Sequence, residues 1–299
     1  MAKLHELTGH IVSVESLSLR CYRGVLSCGS GVGDSERSDD SVPDIELTIL
    51  GSGTSTGVPM LACQCPTCLS TDPRDHRMRS SVLLRWNETA VVIDTTPEFR
   101  LQLLRAEQRS LDAVLLTHNH ADHIHGFDDL RAFTFGRDRG IPVFGHPETL
   151  RWMREHFRYI WEAKQIGGGL PKVELRPVEA PFSLGGVHVV PILVKHGILD
   201  IYGYRIGDIA YISDVSHIPE SSFALLKGVR TLILDAVRRR PHATHFHLDA
   251  AVAAARRVQA DQTYLTHLNH DFLHGDLAAE LPPGIAPAYD GLVLHGTSD

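Results

Sequence analysis

The chain has 299 residues, 43% of them hydrophobic and 22% charged, so it can bury a sizeable core and is not a low-complexity segment. A formal net charge of −7 argues against a general binder of nucleic-acid backbones, which usually presents a basic face, but not against a small anionic substrate, because bound metal reverses the local sign. No apolar run approaches the roughly 20 residues of a membrane span, and the opening MAKLHELTGHIVSVESLSL is broken too often by polar residues to be a secretory leader, so a cytoplasmic location is expected.

Residues 1–43 stand apart. Their stretch SCGSGVGDSERSDDSVP is rich in Gly, Ser and Asp without apolar periodicity, and reads as a flexible extension of unassigned role. Residues 44–299 read as one domain. Its first run, IELTILG, leads into GSGTSTG, which lacks the Gly-Lys-Ser/Thr ending of a phosphate-cradling loop and is read as a tight turn. CQCPTCL follows, with Cys63, Cys65 and Cys68 in six residues. Pairing within this trio leaves an odd thiol, Cys21 and Cys28 lie far upstream, and in a reducing compartment clustered cysteines are more often metal ligands or catalytic than bridged. Arg79, Ser80 and Ser81 in RMRSSVLL suit either contact with a phosphate or the start of a strand.

Strand-length runs then recur to the C-terminus: SVLLRW, AVVIDT, DAVLLTH, IPVFGH, VHVVPILVKH, DIAYISD, TLILDA, QTYLTH and GLVLHG. Helical patterns lie between some of them, in PEFRLQLLRAEQ, PETLRWMREHFRYIWEA, SSFALLKG and LDAAVAAARRVQA, with Asp249 as the expected N-cap of the last. The apolar runs end again and again on residues that bind metals: Asp94, His118, His196, Asp214, Asp235 and His267. Side chains leaving neighbouring strand ends can converge on one cleft. The densest group, THNHADHIHG, holds His118, His120, Asp122 and His123, and four such residues in six positions have no packing rationale. Imidazole and carboxylate suit zinc, manganese or iron.

This His-x-His-x-Asp-His signature, with His196, Asp214 and His267 following in order, resembles the metallo-β-lactamase fold hydrolases. The resemblance implies an α/β (α+β) architecture, a four-layer αββα sandwich with its site at one edge. It also implies that His118, His120 and His196 hold one metal ion, that Asp122, His123 and His267 hold a second, that Asp214 bridges them and that Asp94 braces the histidine loop. CQCPTC, LTHLNH and AYDG narrow the resemblance to the branch containing the phosphoribosyl 1,2-cyclic phosphate phosphodiesterase of the carbon–phosphorus lyase pathway. There, three cysteines and a histidine bind a structural zinc, and the matching positions are Cys63, Cys65, Cys68 and His270. Such a closed site has no open position and contributes stability.

Two divalent ions make water a nucleophile near neutral pH, but a sugar alkoxide still leaves only with a proton. HATHFHLD offers His242, His245 and His247 nearby, and the resemblance singles out His245 as the general acid, with Asp235 orienting that region and Asp122 as the catalytic carboxylate; His247 is read as a residue of the helix start. The expectation is a phosphodiesterase for a small cyclic phosphate, with two Zn or Mn ions and one structural Zn, no stable nucleic-acid partner, no membrane, and homodimer formation left open. An RNA-processing nuclease and a carboxylic ester, lactone or thioester hydrolase are the enzymatic alternatives. A metal-binding interaction module is the non-enzymatic one.

Overall fold

The structure is a computed structural model that describes residues 43–162 and 169–298. The proposed N-terminal extension, up to residue 42, lies outside the described residues. The strands are β1 (Asp44–Gly51), β2 (Ser81–Trp86), β3 (Thr89–Ile93), β4 (Ala113–Leu115), β5 (Ile141–Gly145), β6 (Val173–Pro177), β7 (Phe182–Leu184), β8 (Val187–His196), β9 (Leu199–Ile206), β10 (Ile209–Ile212), β11 (Thr231–Asp235), β12 (Gln262–Thr266), β13 (Ile285–Pro287) and β14 (Val293–Thr297). They form two sheets, in the orders β14-β1-β2-β3-β4-β5-β6 and β13-β12-β11-β10-β9-β8-β7. The second half of the chain thus builds the second sheet and returns β14 to the edge of the first.

Period-two alternation explains the layering. Val91, Ile93, Ala113 and Leu115 of the first sheet meet Tyr204, Ile209, Tyr211 and Ile233 of the second in one buried cluster between the sheets. The intervening Ala90, Val92 and Val114 face outward under α1 (Phe99–Arg105), α2 (Ala121–Ile124) and α3 (Pro147–His156), which is followed by the short α4 (Tyr159–Glu162). On the far side Leu232 and Leu234 pack against residues of α5 (Glu220–Leu225), α6 (Leu248–Val258) and α7 (His274–Glu280). Both faces of each central strand are therefore apolar, which is why the sequence runs VVI, VLL and LIL do not alternate. The four-layer αββα sandwich is the observed architecture.

The ten anticipated runs all form strands, and β6, β7, β9 and β13 are added to them. β9 carries Gly203 in its centre, where a Cβ would stand 2.9 Å from the Tyr211 carbonyl oxygen, and this glycine hides the strand pattern. The α6 N-cap is corrected: His247 occupies it without a side-chain cap, while Asp249 lies in the first turn, where its charge favours the helix N-terminus. Among the described residues no helix is long and apolar enough to cross a membrane.

Parallel pairing orients the ends. β3 runs parallel to β4, β10 to β11 and β11 to β12, while β8 reverses twice to reach β10 through β9. The C-terminal ends of β8, β10, β11 and β12 therefore share one edge of their sheet. Ile233 is fully buried between the sheets, so Ile233→Ala should cost about 2–5 kcal/mol of stability. Chemical denaturation of the metal-free protein should show this as a lower midpoint at an unchanged slope.

Candidate metal centre

Two groups of ligand-type side chains, overlapped by a further one of His196, Asp214 and His245, meet at that edge. His118, His120 and His196 have ligand atoms within 4.8 Å of one another, and so do Asp122, His123, Asp214 and His267. Asp214 spans both groups, with Oδ2 3.9 Å from His118 Nε2 and Oδ1 3.2 Å from His123 Nε2 and 3.0 Å from His267 Nδ1. Asp94, Asp214 and His267 have φ of 66°, 59° and 58°, the left-handed region that non-glycine residues seldom adopt. Each follows a strand, so the chain turns sharply there and aims the side chain into the cleft, at a cost of about 1–3 kcal/mol per residue.

The hydrogen bonds around the imidazoles decide which nitrogen each one offers. Asp94, fully buried, accepts from the Thr117 amide at 2.8 Å, the Thr117 hydroxyl at 2.7 Å and His123 Nδ1 at 2.7 Å. With its proton given to Asp94, the Thr117 oxygen accepts from His118 Nδ1 at 3.0 Å. His196 Nδ1 donates to the Thr244 carbonyl oxygen at 2.7 Å. In all three rings Nδ1 is spent as a donor, which leaves Nε2 free to bind a cation. Nε2 of His118, of His123 and of His267 is buried and makes no hydrogen bond. Orphaned buried nitrogens of this kind, facing carboxylates, fit a set of divalent-ion ligands.

The charges agree. Burial alone would push His123 down, yet Asp214, Asp122 and Asp94 hold it well above the ordinary histidine range. His267 is likewise raised against burial, by Asp214. Burial raises Asp214 less than His267 and His123 lower it, so it stays far below the usual carboxylate range. Burial, reinforced by His123, drives His118 down, and burial takes His196 to about 4. The same carboxylates that raise His123 and His267 would draw a cation, which would compete with protons on these rings.

Beside this group, His245 Nδ1 lies 3.1 Å from Asp235 Oδ2, which also accepts the Val215 amide at 3.1 Å. The His245 ring stacks on His267 at 4.9 Å between centroids and meets the His196 ring edge-on at 4.6 Å. His242 is turned differently: its Nδ1 accepts the Thr244 amide at 3.2 Å. The Ser80 and Ser81 hydroxyls are corrected as phosphate contacts, because both are buried and donate to Gly53 O and to Ile93 O and Asp94 O. Arg79 is engaged by Glu98 and by the Ser55 carbonyl. The glycine-rich turn exists for close approach, since a Cβ on Gly51 would stand 2.0 Å from the Arg79 carbonyl oxygen.

A third cluster joins distant parts of the chain. His270 Nδ1 lies 3.2, 3.7 and 3.6 Å from Sγ of Cys63, Cys65 and Cys68. Tetrahedral zinc with Zn–S about 2.3 Å and Zn–N about 2.0 Å sets S···N separations of about 3.5 Å, so the four residues fit that ion. The Cys68 amide lowers the Cys65 thiol, while burial pushes Cys68 up to about 11. Next to the cluster, Arg77 is 2% exposed; it pairs with Asp75 at 3.0 Å and donates to the Phe272 carbonyl oxygen at 2.8 Å. The sequence reading missed Thr117, Thr244 and this Arg77–Asp75 pair. Thr117 alone left a trace, as the hydroxyl directly before His118.

Residues 89–268 match the family model of the β-lactamase superfamily domain. The chain belongs to the metallo-β-lactamase superfamily. Within this hydrolase superfamily it is 42% identical to a solved structure described as a new diphosphatase from the PhnP family, over 85% of this chain and 97% of that one, with a TM-score of 0.80. It is also 37% identical over 249 residues to an octanoyltransferase of Porphyromonas gingivalis, covering 82% of this chain and 50% of that protein. A ribonuclease Z of Agathobacter rectalis is 27% identical over 139 residues, 45% of this chain and 44% of the relative. The chain thus spans half or less of the length of these two curated relatives.

Two measurements test the centre. Cys65→Ala should lose roughly one zinc ion and some thermal stability while the His/Asp groups still bind metal, as metal analysis and calorimetry would report; full retention of both refutes a structural zinc there. Adding Zn or Mn to metal-free protein at pH 7 should release protons, because the raised His123 and His267 must deprotonate, and apparent affinity should weaken as pH falls. Titration calorimetry in buffers of different ionisation enthalpy measures this, and heats independent of buffer contradict it.

Proposed function

We propose that this chain is a dinuclear metal-dependent phosphodiesterase for small phosphodiesters, with a cyclic phosphate such as phosphoribosyl 1,2-cyclic phosphate as the leading form. The observation that carries this reading is His245, held by buried Asp235 and packed against His196 and His267 of the ligand set. A proton donor beside a divalent-ion site is what expulsion of an alkoxide from phosphorus requires. In this reading His118, His120 and His196 take one Zn or Mn ion, Asp122, His123 and His267 take the other, Asp214 lies between them, and Cys63, Cys65, Cys68 and His270 hold a structural zinc.

A bound ion pair would supply a water acidified toward pKa ~7 and positive charge for the phosphoryl oxygens. The chain's own groups do the rest. Asp122, whose carboxylate burial raises less than His123 lowers it, stays anionic and can orient the attacking water and accept its proton. Asp235 accepts from His245 Nδ1, so the ring carries a proton for the leaving oxygen on Nε2 only as the imidazolium.

A second reading, cleavage of a diphosphate bond, is favoured by the 42% identical relative described as a diphosphatase. RNA processing has weaker support, from ribonuclease Z relatives that match less than half of each chain or near a quarter of positions, and it sits poorly with a net charge of −7. A small-molecule substrate and a cytoplasmic location are part of the proposal.

The leaving group separates these cases. His245→Ala should keep its active-site metal, lose about 10²–10⁴-fold on an alkyl or cyclic ribose phosphodiester, and lose far less on a p-nitrophenyl ester, whose leaving group needs no proton. Asp214→Ala should lose metal and depress both reactions together. Equal losses in fully metallated His245→Ala remove the general acid, and wild-type activity confined to diphosphates or to RNA replaces the reading.

A further inference from the structure

A cavity of about 400 Å³ opens from His118 and runs between α3 and the β8–β9 hairpin. That volume lies within the roughly 300–1,000 Å³ of small-molecule sites. Nothing in the proposed chemistry uses it beyond His118 itself. His245 does not line it, so the cavity does not receive the group that His245 would protonate. In an acyclic diester the ester group that stays on phosphorus is the one left to enter it.

Its walls have a definite chemistry. Trp152 and His146 supply aromatic surface, and Ile198, 96% exposed at the hairpin tip, and Leu199, 39% exposed, supply an apolar side. Ile198 and Leu199 stand on the hairpin side of the cavity and Trp152, whose ring is stacked on His156 at 4.3 Å between centroids, on the α3 side. Glu148, Glu155 and Asp200 contribute carboxylates. Arg151 is the one lysine or arginine among the described residues that line it, and it is tied to Glu148 at 2.8 Å. Asp200 is paired with Lys195 at 2.6 Å, whereas no ion pair is formed by Glu155 among the described residues. His146 Nδ1 accepts the Glu148 amide at 3.3 Å, so a neutral His146 presents Nε2–H as a donor.

A second phosphate would meet carboxylates here and no free cation. A flat heteroaromatic ring suits the aromatic and apolar walls, and ribose hydroxyls suit the carboxylates, as in nucleotide sites where an acidic side chain takes a ribose hydroxyl. We propose that this cavity binds a nucleoside, the retained ester group of the substrate, and rejects a further phosphate on that side. The inference rests on the phosphodiesterase reading and applies to its acyclic diesters, since a cyclic phosphate has both ester oxygens on one sugar.

Two p-nitrophenyl phosphodiesters with the same leaving group test it, thymidine 5′-(p-nitrophenyl phosphate) and methyl p-nitrophenyl phosphate, assayed with the metal-loaded full chain. The thymidine ester should be preferred about tenfold or more in kcat/KM, carried mainly by KM. In Glu155→Ala, Ile198→Ala and Trp152→Ala the ratio should fall toward one. The first two residues are exposed, so their variants remain informative if Trp152→Ala unfolds. Equal kcat/KM for the two esters, or a ratio unchanged in all folded variants, overturns the cavity assignment alone. Hydrolysis of neither ester overturns the phosphodiesterase reading and this inference with it.

Discussion

The Asp94 carboxylate is the constraint on which the site depends. It has no exposed surface, burial raises it against the pull of His123, and its hydrogen bonds reach the Thr117 amide and hydroxyl and His123 Nδ1. Through His123 directly and His118 by way of Thr117, one buried acid fixes the tautomers of two imidazoles that come from the same loop. Burying a charge of this kind is costly unless every lone pair finds a donor, and here the donors are the groups that must be oriented. The left-handed backbone at Asp94 brings its oxygens under the loop.

Around that acid the molecule concentrates charge where its sheets end. The inter-sheet core is apolar, so ionisable side chains of the central strands can only emerge beyond the strand ends, and they do so together. Three buried Nε2 atoms that make no hydrogen bond, and a carboxylate oxygen within 3.2 Å of two imidazoles, make an arrangement that divalent ions satisfy well. Asp235 repeats the Asp94 device one strand away. It orients His245 as Asp94 orients His123, and it leaves the His245 ring against the ligand set.

The cysteine loop belongs to the same edge by a longer route. Gly53 bridges to Leu268, next to His267, and Thr54 donates to the Leu268 carbonyl oxygen, while Arg77 ties its own segment to Asn269 and Phe272. His270 thus stands in a segment held from two sides, three positions beyond a residue of the candidate centre. The segments on either side of Cys63–Cys68 in the chain, at Gly53–Thr54 and at Arg77, are thus both joined to the stretch 268–272 that holds His270.

Much of this was legible in the residues themselves. Apolar runs of strand length marked ten strands, and the polar residues that stop them marked where the His/Asp cluster forms, because a chain cannot bury Asp or His in a sheet core without partners and so places them where strands end. The cysteine spacing marked the third cluster for a similar reason. Where the pattern was interrupted the reading lapsed: Gly203 obscured β9, the charged edge strand β6 looked like loop, and Asp249 displaced His247 as the cap of α6. Spacing could not tell whether Ser80 and Ser81 face a ligand or the backbone, Thr117 left only the trace of a hydroxyl before His118, and Thr244, the Arg77–Asp75 pair and the cavity beside α3 had no signature at all. Thr244 shows why: it meets His196 at hydrogen-bond distance from 48 positions away, as Thr117 meets Asp94 from 23. Sequence determines which residues are too polar for the core and therefore where a site must form. Only the packing of the two sheets decides which nitrogen each histidine turns to that site and what space is left for a substrate beside it.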